Sequence, residues 1–344
     1  MEKRDCWVDY AKALGIVLVV YGHVLRGLHS AGIDMPERFY RFSDSIVYSF
    51  HMPLFFFLAG LFFYQSFAAR QARRLIFSKL DTILYPFILW SILQGMIEVF
   101  LAGYTNGTVT YAEVFALLWA PRAQFWFLYA LMVCFILAAV VFTLCPRRSA
   151  IPVLVVAALL YLNPSALPSG LLSGYIADNF VFFALDIVFS THTGMSKPAP
   201  GWLALAMAGL FVAGQYVFHG LLGLSYTERG PASLALALVS IAAVAAVCSC
   251  AAQRHIRSIA YIGAASMAIY LMHILAGSGV RVGLKFAGVE SFVLHSLLGV
   301  TMGIAAPLAA FAMINRLKVP YVFSAPISGW LAQSLDRTVR RAVR

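Results

Sequence analysis

The sequence predicts an all-α fold: a polytopic membrane helical bundle of about ten transmembrane helices with both termini cytoplasmic. Three observations carry this expectation. Of 344 residues, 62% are hydrophobic and only 11% charged, whereas a soluble domain carries roughly 25% charged residues. The apolar runs are about 17–25 residues long, which suits spanning helices and not the alternating ten-residue strands of an outer-membrane barrel. With the N-terminus in the cytoplasm and an even number of spans, the outer side receives Arg26, Arg38, Arg41, Arg122, Arg229, Arg281 and Lys285. The other 18 of the 25 Lys and Arg residues fall inside, as the positive-inside bias requires.

The spans are read in order. The first, about 10–28, is long and apolar but contains Lys12 and His23, and no small-residue cleavage site marks it as a signal peptide. The second, 44–66, carries His51 and, two residues on, Pro53, which breaks local helical hydrogen bonding. The third, 80–102, contains Glu98. The fourth is 124–144, and the fifth, 150–164, is short. The sixth, 170–190, carries Asp178 and Asp186. Tight loops rich in Pro, Gly and Ser flank it at 163–170 and 190–200, so the count of ten turns on this region. The seventh to tenth spans are 201–219, 232–251, 261–280 and 292–314. Two domains result: an integral membrane domain over 1–320 and a basic cytoplasmic tail over 321–344, read as an amphipathic segment on the inner leaflet.

The net charge of +11 follows from that bias and the basic tail. No soluble basic face with interleaved aromatics exists, so nucleic-acid binding is not expected. Five cysteines (Cys6, Cys134, Cys145, Cys248 and Cys250) are odd in number and mostly intramembrane, which indicates neither a disulfide framework nor a metal site.

Polar residues in apolar spans are the candidate chemistry, because an unpaired polar group in hydrocarbon costs several kcal/mol. His23 lies eleven residues beyond Lys12, about 16 Å up the helix. His51 and His273 fall in the outer halves of the second and ninth spans, so three imidazoles from three helices share one depth. Imidazole titrates near neutrality and exchanges protons in place. His29, His192 and His255 fall in loops, and His219 and His295 near outer ends, where a solvated or interfacial role is expected. The loop Arg70, Arg73, Arg74 and Lys79 reads as positive-inside charge or as a phosphate clamp. Asp9, three residues before Lys12, either pairs with it at the helix start or closes the inner end of a cavity leading to His23.

Four blocks at these residues resemble a known family. They are Trp7-Val-Asp9-Tyr-Ala-Lys12 running to Gly22-His23; Tyr48-Ser-Phe-His51-Met-Pro-Leu-Phe-Phe-Phe-Leu-Ala-Gly60; Arg73-Arg74-Leu through Tyr85-Pro86 to Trp90, with Trp126-Phe-Leu later; and Gly263-Ala-Ala-Ser266 through Tyr270 to His273. In order and spacing they are similar to the membrane-bound acyltransferase family 3, and within it the bacterial fucose 4-O-acetylase-like branch of carbohydrate O-acetyltransferases. Lys12, Ala59 and Ala265 stand where relatives commonly have arginine, serine and asparagine.

The resemblance implies an enzyme of the bacterial cytoplasmic (inner) membrane. It would move an acetyl group from cytoplasmic acetyl-CoA, a co-substrate, to a hydroxyl of an exopolysaccharide, O-antigen or lipid-linked sugar, without metal. His23 would be general base and His51 would orient the acceptor or stabilise the oxyanion; the reverse assignment and an acetyl-histidine intermediate stay open. Lys12 and Asp9 would shape the thiol-side cavity, and Arg70, Arg73, Arg74 and Lys79 would hold CoA phosphates. Tyr270, His273 and Trp126 would contact the acceptor. The alternative is a proton-coupled transporter or carbohydrate exporter, since intramembrane His and Asp also mark proton relays, although no paired half-repeats are visible.

Overall fold

The computed structural model describes residues 6–61, 63–104, 107–145, 149–192 and 198–330, with the side chains of 64, 65, 70, 71, 191 and 192 left aside. Among these residues there is no strand. Helix α1 (Cys6–Ser30) is the hub, packed by α2 (Glu37–Gly60), α10 (Pro231–Ala251), α11 (Arg257–Ala264), α12 (Ser266–Phe286) and α13 (Phe292–Leu317). The α1–α2 seam is set by two glycines seven residues apart. A Cβ at Gly15 would stand 2.9 Å from the Phe55 ring, and one at Gly22 2.9 Å from the Tyr48 ring. Small residues therefore seat two aromatics, themselves seven apart on α2, directly on the α1 backbone.

Helix α2 starts before the expected 44. The ion pair Arg41–Glu37 (2.6 Å) spans one turn of its exposed beginning, so helix continues past the end of the apolar run that defined the span. A second difference lies at the basic loop. Residues 63–79 form helix α3 (Phe63–Lys79), which runs on through a π-helical turn, Leu80–Leu84, into α4 (Tyr85–Phe100). The segment has no Gly or Pro before Pro86 and is rich in Ala, Arg, Gln and Leu, all strong helix formers. The π turn precedes Pro86, which lacks the N–H that the ladder needs there.

Between α4 and α6 (Trp126–Leu144) lies a short helix, α5 (Tyr111–Phe115), closed by a capping box of Thr110 and Glu113. Then come α7 (Ala150–Leu162), α8 (Leu171–His192) and α9 (Gly201–Gln215), the last extended by a π turn at Tyr216–Leu221. Counting continued helices together, nine among the described residues are long and apolar enough to cross a membrane, and α7, with 13 residues, is shorter. The ten expected spans are thus nine plus the short fifth. The ninth also shifts: the helix breaks at Ala265, and the long piece is Ser266–Phe286 instead of 261–280. The short piece before the break lies close against α1. A Cβ at Gly263 would lie 1.8 Å from the Asp9 carbonyl oxygen, so only glycine lets α11 sit against the start of α1.

Of the expected tail, residues 321–330 are described and 331–344 lie outside the described residues. The described part is tied back to α4 and its π turn. Tyr85 and Trp90 donate to the carbonyls of Tyr321 and Val322 (2.7 and 2.9 Å), and the Ser328 N–H and hydroxyl donate to the Asp81 carboxylate (2.8 and 2.5 Å).

Candidate active site

A chamber of about 600 Å³ opens between α1, α2, the α3–α4 turn, the start of α6 and α11–α12. Along α1 its wall runs from Lys12 through Ile16, Val19 and His23 to Arg26, fourteen residues or about 21 Å of helix. From α2 come Tyr48, His51, Met52 and Phe55. Lys79 at the end of α3 and Thr82 and Ile83 of the π turn also line it, and Gln124, Trp126, Ser266 and Tyr270 add further wall. The lining is mostly apolar with a few convergent polar groups, as small-molecule sites usually are.

His23 and His51 both line this chamber. His51 is buried, and its Nδ1 lies 2.6 Å from the Val47 carbonyl oxygen. A carbonyl only accepts, so Nδ1 carries the proton and Nε2 of the neutral ring offers a lone pair. The Tyr48 ring stands edge-on to it at 4.5 Å. His23 makes no hydrogen bond among the described residues, and its ring lies 5.1 Å from that of His273. His273 does not reach the chamber. It sits behind His23, with Nδ1 against the carbonyls of Tyr270 (2.8 Å) and Ile269 (3.2 Å). The three histidines are thus brought together, two at the wall and one behind it.

The other expected residues divide. Lys12 and Lys79 line the chamber; the Lys79 ammonium also lies over the Phe135 ring at 4.3 Å. Arg73 and Arg74 are exposed on α3 and do not line it, and the Arg70 side chain lies outside the described residues. Asp9 is buried near the α11 contact and contributes no lining. Trp126 and Tyr270 are in the wall. Trp126 stacks on Tyr175 at 6.0 Å, and the Tyr270 hydroxyl donates to the Gln124 carbonyl (2.5 Å). Among the described residues no group of three or more His, Cys, Asp or Glu could hold a metal ion.

Sequence reasoning missed Arg26. It donates twice to Asp44 (2.6 and 2.9 Å) and once to the Tyr226 hydroxyl (2.8 Å), and its guanidinium lies 3.3 Å from the centre of the Tyr48 ring. The available signal was spacing: three residues after His23, it shares the same helix face. Also missed was the brace behind Gln124. Gln94 and Gln124 exchange amide hydrogen bonds (2.7 and 3.3 Å), Gln94 donates to Glu98, and Arg122 donates to Glu98 (2.7 Å). This brace holds Ala123 in the left-handed region at φ 49°, a conformation that costs of order 1–3 kcal/mol and persists only when its surroundings impose it. Two intramembrane acids therefore find bases: Glu98 with Arg122, and Asp178 with Arg229. Asp186 is fully buried with no hydrogen-bond partner among the described residues. His295, expected near the interface, is also buried, at 1% exposure, because α13 packs this face against α12.

No curated protein and no solved structure matches the chain. A family described as an acyltransferase domain matches residues 6–312, a stretch that contains every wall of the chamber. The chain belongs to the acyltransferase 3 family.

Proposed function

We propose that this membrane acyltransferase is a carbohydrate O-acetyltransferase of the fucose 4-O-acetylase-like branch, with its N-terminus and the Lys12–Lys79 end of the chamber on the cytoplasmic side of a bacterial inner membrane. The observation that carries the reading is the single chamber whose wall holds two lysines, Lys12 and Lys79, together with His23, His51 and Arg26. Acetyl-CoA is the co-substrate. Its phosphates lie near Lys79 and Lys12, and its thioester reaches the histidines from below. The acceptor is a hydroxyl of an exopolysaccharide, O-antigen or lipid-linked sugar approaching from the Arg26 side.

The chamber-facing nitrogen of His23 takes the acceptor proton as the oxygen attacks the thioester carbonyl carbon. The C–S bond breaks, and the imidazolium returns the proton to the departing thiolate. A positioned base is worth about 10²–10⁴ in rate. His51 has committed its N–H to Val47, so its remaining nitrogen accepts a hydrogen bond and orients the acceptor; this geometry speaks against oxyanion stabilisation by the neutral ring. Trp126 offers a flat apolar face of the kind on which a sugar ring packs. The test is thioester cleavage by the purified protein, followed with a thiol reagent in the presence and absence of candidate saccharides. Mass spectrometry of surface glycans with and without the gene identifies the product. Acceptor-dependent thiol release supports the reading, and its absence with every glycan class the cell makes refutes it.

A further inference from the structure

Behind His23, on the side away from the chamber, lies a second cavity of about 20 Å³, lined by His23, His273, Ser278, Arg281 and His295 among others. A site of this size passes the roughly 10–15 Å³ that one water molecule needs. Its polar walls are specific in sign. His273 directs its Nδ1 proton to backbone carbonyls, and its Nε2 is buried without a hydrogen-bond partner among the described residues. His295 is the mirror case: Nε2 lies 2.8 Å from the Val289 carbonyl, and Nδ1 is buried without a partner. Two fixed tautomers therefore leave two lone pairs at this cavity. Arg281 is 9% exposed and has no carboxylate partner among the described residues, where its guanidinium makes one long hydrogen bond (3.5 Å) to the Ser278 hydroxyl. Gly27 gives it room, since a Cβ there would stand 2.5 Å from the guanidinium Nη1.

We propose that this cavity binds one water molecule that positions His23. The water donates its two protons to His273 Nε2 and His295 Nδ1, and accepts from the Arg281 guanidinium and from one ring N–H of His23. All four hydrogen-bonding positions of the water are then filled, and each buried polar group gains the partner that burial demands. The proton on His23 is held on the far side, so its other nitrogen faces the chamber as a lone pair. His273, Arg281 and His295 are positioning residues that never meet the substrate. The role assigned to the water rests on His23 being the base; the water site itself does not.

The test uses the full-length protein in detergent with ¹⁵N-labelled histidine rings, assigned by single substitutions. Expected are an unprotonated Nε2 on His273, an unprotonated Nδ1 on His295, and a cross-relaxation signal between these rings and a long-lived water. A proton on either nitrogen, or no such water, overturns the site. Kinetics test the positioning role. Asn places an acceptor where His Nδ1 stood, so His295→Asn retains kcat within about threefold. His295→Leu lowers kcat about 5- to 10-fold, the weight of a neutral hydrogen bond, with the acyl-donor KM unchanged. A midpoint of thermal unfolding equal to that of His295→Asn separates this loss from misfolding, and equal kcat for both variants sinks the positioning role. If His23→Ala stays active while the tautomers and the water are as described, the proposed base is wrong and the water site stands.

Discussion

Gly263→Ala concentrates the fold and the site in one methyl group. The added Cβ would lie 1.8 Å from the Asp9 carbonyl oxygen, with the Asp9 carbonyl carbon and Cα at 2.6 and 2.9 Å. These are backbone atoms and cannot rotate away. Restoring the 3.4 Å of ordinary contact moves α11 and α1 apart by about 1.6 Å. Overpacking typically costs 1–3 kcal/mol, and a clash with backbone belongs at the upper end, about 3 kcal/mol. At roughly 2.1 cal/mol/K of unfolding entropy per residue, that lowers the thermal midpoint by about 4 °C for a chain of this length. Both helices also carry chamber wall: Gly263 and Ala264 on one, Lys12 and His23 on the other. A displacement of more than 1 Å at reacting groups costs on the order of 10²-fold in rate. Scanning fluorimetry in detergent and thiol release from acetyl-CoA measure the two losses. An unchanged midpoint together with unchanged turnover would refute the packing argument.

Three further outcomes are expected. His23→Ala lowers turnover by about 10²–10⁴ while the protein still inserts and purifies as a folded species, and full activity would remove His23 from the chemistry. Lys79→Ala raises the acyl-donor KM severalfold at constant kcat, because Lys79 lines the chamber, whereas Arg73→Ala and Arg74→Ala change it little, because both are exposed away from it; the opposite ranking would relocate the phosphate contact to α3. Asp44→Ala strips Arg26 of two charge-assisted hydrogen bonds and costs about 2 kcal/mol, read as a lower thermal midpoint that Arg26→Met in the same protein partly restores. Equal midpoints for Asp44→Ala and the parent would show that pair to be unimportant for stability.

What sequence revealed and what it hid follow from different physics. A histidine inside an apolar run stands out against hydrocarbon, and helical rise fixes its depth, so the meeting of His23, His51 and His273 was legible one span at a time. Rotation about each helix axis was not. His273 was read as a member of the histidine layer and His295 as interfacial, and only the packing of α12 on α13 shows that both are buried and line one cavity with His23. Arg26 was counted only as an outer-side charge at the end of the first span, because sequence does not show that Asp44 and Tyr226, 18 and 200 residues on, converge on it. Arg73 and Arg74 have the same signature whether they clamp phosphate or merely obey the positive-inside bias. The helical run through 63–79 escaped notice for a related reason: its helix formers are polar, and a search for spans responds to apolarity.

The stitching of Ser328 to Asp81 ties the polypeptide's last described residues to the turn at the chamber wall. Asp81 sits in the π turn beside Lys79, and the same turn presents Thr82 and Ile83 to the chamber, so the backbone at Ser328 is held one residue from the chamber wall. A change at Ser328 therefore reaches the chamber wall through Asp81, although Ser328 itself is not among the lining residues.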